Sequence, residues 1–237
     1  MLNMDIGKLS QALEQADRDE TSKRYAQKLI EKATPAEMSL AEQKLLERGM
    51  DECKLKDLCK LHLETVRDRV KELKESVEPG HPIHTFVSEH EEILGYVDEI
   101  EKVTDNLENK ELTEDEKKTL RKSAENLLDA EKHHDREEKT IFPRLEKKGI
   151  SGPPRIMQME HDELRERKQA LFEASKDPDK NKEKIDRLAD YIIYNLREHI
   201  FKEDNILYPT ALKEIKDWDK VKKECNSIGY CRFTPKK

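Results

Sequence analysis

The chain has 237 residues, of which 42% are charged and 5% aromatic, and its formal net charge is −7. Seven thinly scattered glycines do not suit a sandwich or barrel, so the composition favours long amphipathic helices over β structure. Acidic and basic residues are interleaved without a basic stripe, which argues against nucleic acid as a partner.

The N-terminal segment has neither the pattern of a signal peptide nor that of a membrane span. Met1 to Ser10 contains no apolar run flanked by basic residues, and no stretch approaches the roughly 20 apolar residues of a spanning helix. We therefore expect a cytoplasmic protein with no membrane partner. The four cysteines are too few for a disulfide framework in a chain of this length, and we interpret them as reduced thiols.

Residues 1–78 are predicted to form an N-terminal helical domain. Short helices are expected over residues 5–48, where Thr34-Pro35-Ala36-Glu37 combines an N-cap, a first-turn proline and a capping-box glutamate. A longer helical run from Glu52 to Ser76 ends at Glu78-Pro79-Gly80-His81-Pro82, because prolines exclude helix on both sides. The domain boundary is therefore placed after residue 78.

Residues 79–217 have the pattern of an up-down bundle of four long helices joined by short turns, so the predicted fold class is all-α. The second helix follows a capping box formed by Thr113 and Glu116. The tail, residues 218–237, is expected to be an irregular cover. The four predicted helices are Ile83 to Leu107, Glu114 to Glu146, Pro154 to Ser175 and Asn181 to Leu207.

Histidines are concentrated in this second part, since seven of the eight follow the boundary and each long helix contains at least one. The segment His133-His134-x-x-Glu137-Glu138-x-x-Ile141-Phe142-Pro143 is echoed by His199-x-x-x-Glu203-Asp204-x-x-Leu207-Tyr208-Pro209. At about 100° per residue, His199 and Glu203 fall on the apolar face of the fourth helix. Both side chains are therefore expected to point inward.

In the second helix the choice of the inward pair stays open. The angular spacing favours His134 with Glu138, whereas aligning the two Pro-terminated motifs favours His133 with Glu137.

The first and third helices also echo each other, through Glu89-His90 and Glu160-His161. His90 shares a face with apolar residues, and His84 lies about 120° from it on a regular helix, so both cannot point at one centre. Either His84 or His90 is a candidate ligand.

The inward carboxylates carry the chemical argument. Burying a carboxylate is costly unless it is neutralised or paired, and two of them, each beside a histidine, call for a cation. Imidazole and carboxylate together suit iron, manganese or zinc. A pair of bridging carboxylates in a bundle core is how di-iron carboxylate proteins are built.

From about His81 to Leu212 the sequence resembles the hemerythrin or HHE cation-binding family, in which four helices hold a di-iron centre with an open position for oxygen. The resemblance implies that Glu203 and either Glu137 or Glu138 bridge two irons. It also implies a set of terminal ligands: His84 or His90, His133 or His134, His161 and His199. Asp204 is a further candidate, because oxygen-carrying hemerythrins use a His-x-x-x-x-Asp spacing in this helix.

The chain departs from the oxygen carriers in the third helix. Those proteins have His-x-x-x-His there, and this chain has His161 followed by Arg165. One iron is then short of a ligand, which tells against reversible oxygen carriage. A mononuclear site, an asymmetric pair and a carboxylate-rich centre all stay open. The first segment resembles an uncharacterised helical domain often found before such bundles.

The expected function is binding of non-haem iron, as a pair of ions, coupled to binding or sensing of oxygen, nitric oxide or peroxide. Zinc and manganese are weaker candidates for the metal. The alternatives are a di-iron enzyme of the ferroxidase or peroxidase type and a metal-free helical adaptor. Since no output domain follows the bundle, a signal is expected to leave through the N-terminal domain or a partner protein.

Overall fold

The computed structural model describes residues 4–16, 18–33, 41, 44–45, 48–50 and 71–235, and the regular structure within them is helical, without strands. The predicted all-α class is confirmed. The chain divides into two compact units, Met1–Glu72 and Leu73–Lys237. The predicted boundaries after residues 78 and 217 stay predictions, and the capping box at residues 34–37 and most of the helical run 52–76 lie outside the described residues.

The first unit contains two short helices that pack together, α1 (Ile6–Glu14) and α2 (Glu20–Ile30). Each begins at an aspartate whose carboxylate accepts backbone N–H groups of the first turn. Their buried faces carry the apolar residues Leu9, Leu13, Ala26 and Ile30.

The second unit is a four-helix bundle, and we call its four long helical stretches rods. Two rods are continuous α-helices, and the other two are composites of shorter helical segments. The first and third rods are α3 (Pro82–Thr104) and α7 (Gly152–Ala174). The second rod joins α4 (Glu114–Asp129), α5 (Glu131–Arg136), a π-helical segment (Glu137–Ile141) and α6 (Phe142–Glu146). The fourth rod joins α8 (Lys182–Lys202), a π-helical segment (Glu203–Leu207) and α9 (Tyr208–Glu214).

Short connections place consecutive rods side by side, and the fourth also packs on the first, which closes the bundle. Local sequence signals explain the starts of two rods. His81 caps α3 and Pro82 occupies its first turn, while Thr113 and Glu116 form the complete capping box of α4. The prediction of four long helices is confirmed, although the fourth rod continues past Pro209.

The bundle interior is divided along its length. Toward one end it is an apolar core in which side chains from all four rods interdigitate. The histidines lie toward the other end, where Phe86, Ile141, Leu207 and Tyr208 are also buried. The apolar end is represented by Val97, Ile100, Leu120, Leu127, Leu171, Ile185 and Ile192.

The prediction of an irregular tail was wrong, because residues Trp218–Ile228 form a helix, α10. Its inner face buries Val221 and Cys225, four residues apart, against α3, α5 and the first π-helical segment. Trp218, Val221, Cys225 and Ile228 recur at helical spacing in this charged stretch, so the sequence carried a helical signal that the prediction overlooked. None of the helices in the described ranges has both the length and the apolar composition to cross a membrane.

The apolar core should dominate the stability of the second unit. We expect Ile100→Ala, at a fully buried position, to lower the free energy of unfolding by about 2–5 kcal/mol. Ile156→Ala is the matched control, because Ile156 is 54% exposed and its truncation should change stability by no more than about 0.5 kcal/mol. Denaturant titration followed by the fluorescence of Trp218, the one tryptophan of the chain, makes the comparison. Equal effects of the two substitutions would contradict this description of the core.

Candidate metal centre

The repeated motif coincides with a π-helical segment in each of the two composite rods. In each π-helical segment the first glutamate carbonyl accepts the N–H of the residue five positions on, Phe142 for Glu137 and Tyr208 for Glu203. A proline follows directly in both motifs and cannot donate the next helical hydrogen bond. Such π bulges are frequent at functional sites. The same irregularity therefore lies next to both glutamates.

The sequence left open whether His133 or His134, and whether Glu137 or Glu138, points inward. His133 and His134 both face the interior, with exposures of 1% and 2%. A uniform 100° step does not apply here, because the helix is interrupted at Ala130 and widens into the π-helical segment at Glu137. Glu137 is fully buried at the centre, whereas Glu138 is partly exposed and contacts the outer nitrogen of His161.

In α3, His90 lies at the centre and His84 does not. His90 is 1% exposed, and its Nε2 lies 3.0 Å from Glu203 Oε2. His84 is half-buried one and a half turns earlier, where its Nδ1 lies 3.5 Å from Ser88 Oγ.

The inward groups form two clusters that share carboxylates. One cluster is His134, His161 and His199, and the other is His90 and His133 with Glu203. Within each cluster, donor atoms lie within 4.8 Å of one another. The third helix has Arg165 where the oxygen carriers have a second histidine. The first cluster nevertheless contains three histidines, because His134 comes from the second rod.

The two glutamates stand between the clusters. Glu203 presents Oε1 at 2.8 Å from His199 Nε2, while its Oε2 faces His90. Glu137 Oε2 lies 3.6 Å from both His133 Nε2 and His161 Nε2. Each carboxylate therefore touches a histidine of both clusters, which is the arrangement of bridging ligands.

A second ring of carboxylates holds the outer nitrogens of the histidines. Four of the five buried histidines have an acidic oxygen within hydrogen-bond distance of Nδ1, so that Nε2 faces the centre. His134 Nδ1 is too far from Glu131 for a hydrogen bond. Asp204 belongs to this ring rather than to the centre, and so does Glu138. The Nδ1 to oxygen distances are 2.9 Å for His90 and Asp204, 2.8 Å for His133 and Glu89, 3.6 Å for His134 and Glu131, 2.9 Å for His161 and Glu138, and 2.8 Å for His199 and Glu160.

Sequence reasoning missed Glu89, Glu131 and Glu160. Two of them were visible as the acid-histidine pairs that the first and third helices share. Glu89 and Glu160, however, each serve a histidine of another rod and not their own neighbour. Glu131 lies three residues before His134 on the same rod. One-helix periodicity cannot reveal a contact between rods.

Charges in the centre are strongly coupled. Burial would raise the pKa of Glu203, but His199, His161 and His90 hold that pKa well below its ordinary value. Burial and the neighbouring Glu203 raise the pKa of Glu137 well above its ordinary value. Burial would lower the pKa of His90, yet Asp204 and Glu203 outweigh it and raise that pKa to about 10.

Several inward-facing atoms lack hydrogen bonds. Among the described residues, Glu137 Oε2, Glu203 Oε2 and His199 Nε2 are buried without a hydrogen-bond partner, because the short contacts of Glu203 with His90 and His199 lack hydrogen-bond angles. A buried polar atom left unsatisfied costs about 1–3 kcal/mol. Convergent imidazole and carboxylate donors of this kind fit a transition-metal cation, which would satisfy them together.

The C-terminal segment covers one side of this arrangement. Arg136 is buried and its Nη2 contacts Glu89 Oε2, while its Nη1 donates to the carbonyl of Gly229 at 3.2 Å. Thr234 Oγ1 donates to Glu89 Oε1 at 2.5 Å, and Tyr230 stacks on the guanidinium. Glu89, on the first rod, therefore joins His133 and Arg136 of the second rod to the tail.

Cys225 and Cys231 lie in this cover as free, buried thiols. Burial raises the pKa of both, that of Cys231 to about 12. Thiols of this kind are poor nucleophiles at neutral pH, in agreement with the interpretation of these two cysteines as reduced. Cys53 and Cys59 lie outside the described residues.

Comparison with known families agrees with the two units. Residues 81–211, more than half of the chain, match the model of the hemerythrin HHE cation binding domain. Residues 8–72 match a family of unknown function, DUF438. Among curated proteins no relative matches the chain.

The buried Glu89 carboxylate should make stability depend on pH. Burial would raise its pKa, but His133 and Arg136 outweigh burial and lower it from 4.5 to about 2. A lowered folded-state pKa contributes stability above pH 4.5 that is lost as the pH falls toward 2. Glu89→Gln should therefore destabilise the chelator-treated protein at neutral pH by roughly 3–5 kcal/mol, because it leaves Arg136 unpaired.

Denaturant titrations at stepped pH test this. The deficit of Glu89→Gln should shrink below pH 4.5, and Glu92→Gln, at an exposed position of the same helix, should show no such change. A deficit that stays constant to pH 3 would rule out the charged form of Glu89 as its cause.

Proposed function

Because the chain belongs to the hemerythrin HHE cation-binding domain family, we propose that its bundle binds a pair of non-haem iron ions and uses them to bind or sense oxygen, nitric oxide or peroxide. The observation that carries the proposal is the contact of Glu137 and Glu203 with both histidine clusters. Glu203 directs one oxygen to each cluster, and Glu137 Oε2 lies 3.6 Å from a histidine of each cluster. Both carboxylates therefore lie where two cations could share them.

In this proposal one ion is held by His134, His161 and His199, and the other by His90 and His133. Glu137 and Glu203 bridge them. Supporting the assignment, the Nε2 atoms of His90, His133, His161 and His199 lie within 3.6 Å of a Glu137 or Glu203 oxygen. The unsatisfied inward atoms argue against a metal-free adaptor, since a bundle core that needed no metal could place apolar side chains there.

Iron is the preferred metal because the donors are imidazole and carboxylate with no thiolate among them. Two helical glutamates with histidines also match the donor set of di-iron carboxylate bundles. When bound, iron supplies reversible electron transfer and a coordination position for a small oxidant. The chain's own residues supply the orientation, through the carboxylates at Nδ1 of four of the histidines, and these also make the imidazoles better donors.

The burial of the histidines and glutamates limits the size of the molecule that can reach them. The five histidines and two glutamates are each exposed by 2% or less. A substrate of ordinary metabolite size cannot reach these side chains without opening the bundle. Oxygen, nitric oxide and hydrogen peroxide are small enough to enter through fluctuations of the packing, which favours this class of ligand.

Metal content of matched variants tests the ligand assignment. Full-length protein produced with iron available should contain about two irons per chain. His90→Ala and Glu137→Gln should lower that content, because each removes an inward donor. Their controls are His84→Ala, on the same helix as His90, and Glu146→Gln, at an exposed position of the same rod as Glu137, and both should keep it.

Elemental analysis with circular dichroism separates metal loss from unfolding. If His84→Ala lost iron while His90→Ala kept it, the assignment in α3 would be wrong. Zinc alone at stoichiometric level in iron-supplied protein would remove the redox function from the proposal.

A ligand-addition experiment tests the sensing function. Iron-loaded protein, reduced without oxygen, should change its visible absorption when oxygen, nitric oxide or hydrogen peroxide is added. Zinc-loaded protein is the control and should not respond, since zinc has no redox chemistry. Because the centre is buried, cumene hydroperoxide should react much more slowly than hydrogen peroxide. An iron-loaded protein that responds to none of the three small molecules would contradict the proposal.

A further inference from the structure

Tyr208 lies inside the centre, although the motif gave it no role there. It follows the second π-helical segment, is fully buried, and its ring stacks on the rings of Phe86 and His90 at 5.5 Å. Its hydroxyl donates to Glu137 Oε1 at 2.7 Å. A phenol has one proton to donate, so the remaining lone pairs of Oη are free to face other groups.

Those lone pairs face the two-histidine cluster. Tyr208 Oη lies 3.3 Å from His90 Nε2 and 3.2 Å from His133 Nε2, and the two nitrogens are 3.1 Å apart. The three atoms therefore form a nearly equilateral triangle. Donors that share one cation at about 2.1 Å, at right angles to one another, lie about 3 Å apart. The triangle has the dimensions of one face of a coordination sphere.

The repeated motif provides an internal comparison. Phe142 holds the position in the second rod that Tyr208 holds in the fourth, and its ring stacks on His161 at 5.8 Å. His161 belongs to the cluster that already has three histidines, and the aromatic residue there has no donor atom. The cluster with two histidines lies beside Tyr208, whose hydroxyl oxygen is a donor atom.

We propose that Tyr208 Oη is the third terminal donor of the cation held by His90 and His133. The inference rests on the proposed function and deepens it, because both ions then have three terminal protein donors and share two bridging carboxylates. On ligation the phenol O–H bond breaks, its proton leaves to solvent, and the oxygen lone pair forms the bond to the metal. No electron is transferred in this step. A phenolate is a hard oxygen donor, which favours ferric iron over softer cations.

The spectrum of the ferric protein tests the proposal. Iron-loaded, oxidised wild type should show a visible phenolate-to-iron charge-transfer absorption, and excitation within it should enhance the Raman ring modes of tyrosine. Both signals should disappear in Tyr208→Phe, which keeps the ring and should keep about two irons per chain. The matched control is Tyr230→Phe, which alters a tyrosine stacked on Arg136 and should leave both signals intact.

The outcomes distinguish this inference from the proposed function. Failure to bind iron would overturn both. Two irons per chain without the phenolate signals, or with signals that persist in Tyr208→Phe, would overturn the role of Tyr208 alone and leave it as a hydrogen-bond donor to Glu137. Protein labelled with ring-deuterated tyrosine gives the same test without substitution, since the enhanced modes must shift. A variant that fails to fold therefore does not decide the question.

Discussion

Two carboxylates, Glu137 and Glu203, lie side by side in a bundle interior that excludes water. Charged carboxylates in such a place repel each other and lose their hydration, so each must be neutralised or paired. The pKa shifts express this conflict: the histidines hold the pKa of Glu203 well below its ordinary value, while burial and Glu203 raise the pKa of Glu137 well above its own. The pair of cations that we propose would resolve it for both. The histidines and the outer acids are arranged around that requirement.

The requirement also explains how the bundle is divided. The apolar end can pack as an ordinary core, whereas the histidine end must hold each imidazole in one orientation. Four of the outer carboxylates, all but Glu131, do this from neighbouring rods, so the rods are linked by the centre as well as by apolar packing. The C-terminal helix and tail complete one side through Arg136 and Glu89. Residues far from the histidines in sequence thereby help to hold them in place.

The sequence predicted the four rods, because a period of about 3.6 residues, a capping box and prolines are local signals. It could not choose between His133 and His134, since a fixed angular step fails where a helix is interrupted and then widens. It also placed Asp204 and Glu138 at the metal, whereas they contact outer imidazole nitrogens. Contacts between rods decide such cases. Helix α10 was missed for another reason, because its few apolar residues, although at helical spacing, are spread through a strongly charged stretch.

The central claim is that two cations share Glu137 and Glu203. Anomalous diffraction at the iron absorption edge, from crystals of the iron-loaded full-length protein, tests it most directly. We expect two peaks about 3.5–4 Å apart, one against His134, His161 and His199 and the other against His90 and His133. A single peak, or peaks away from the two glutamates, would contradict the claim.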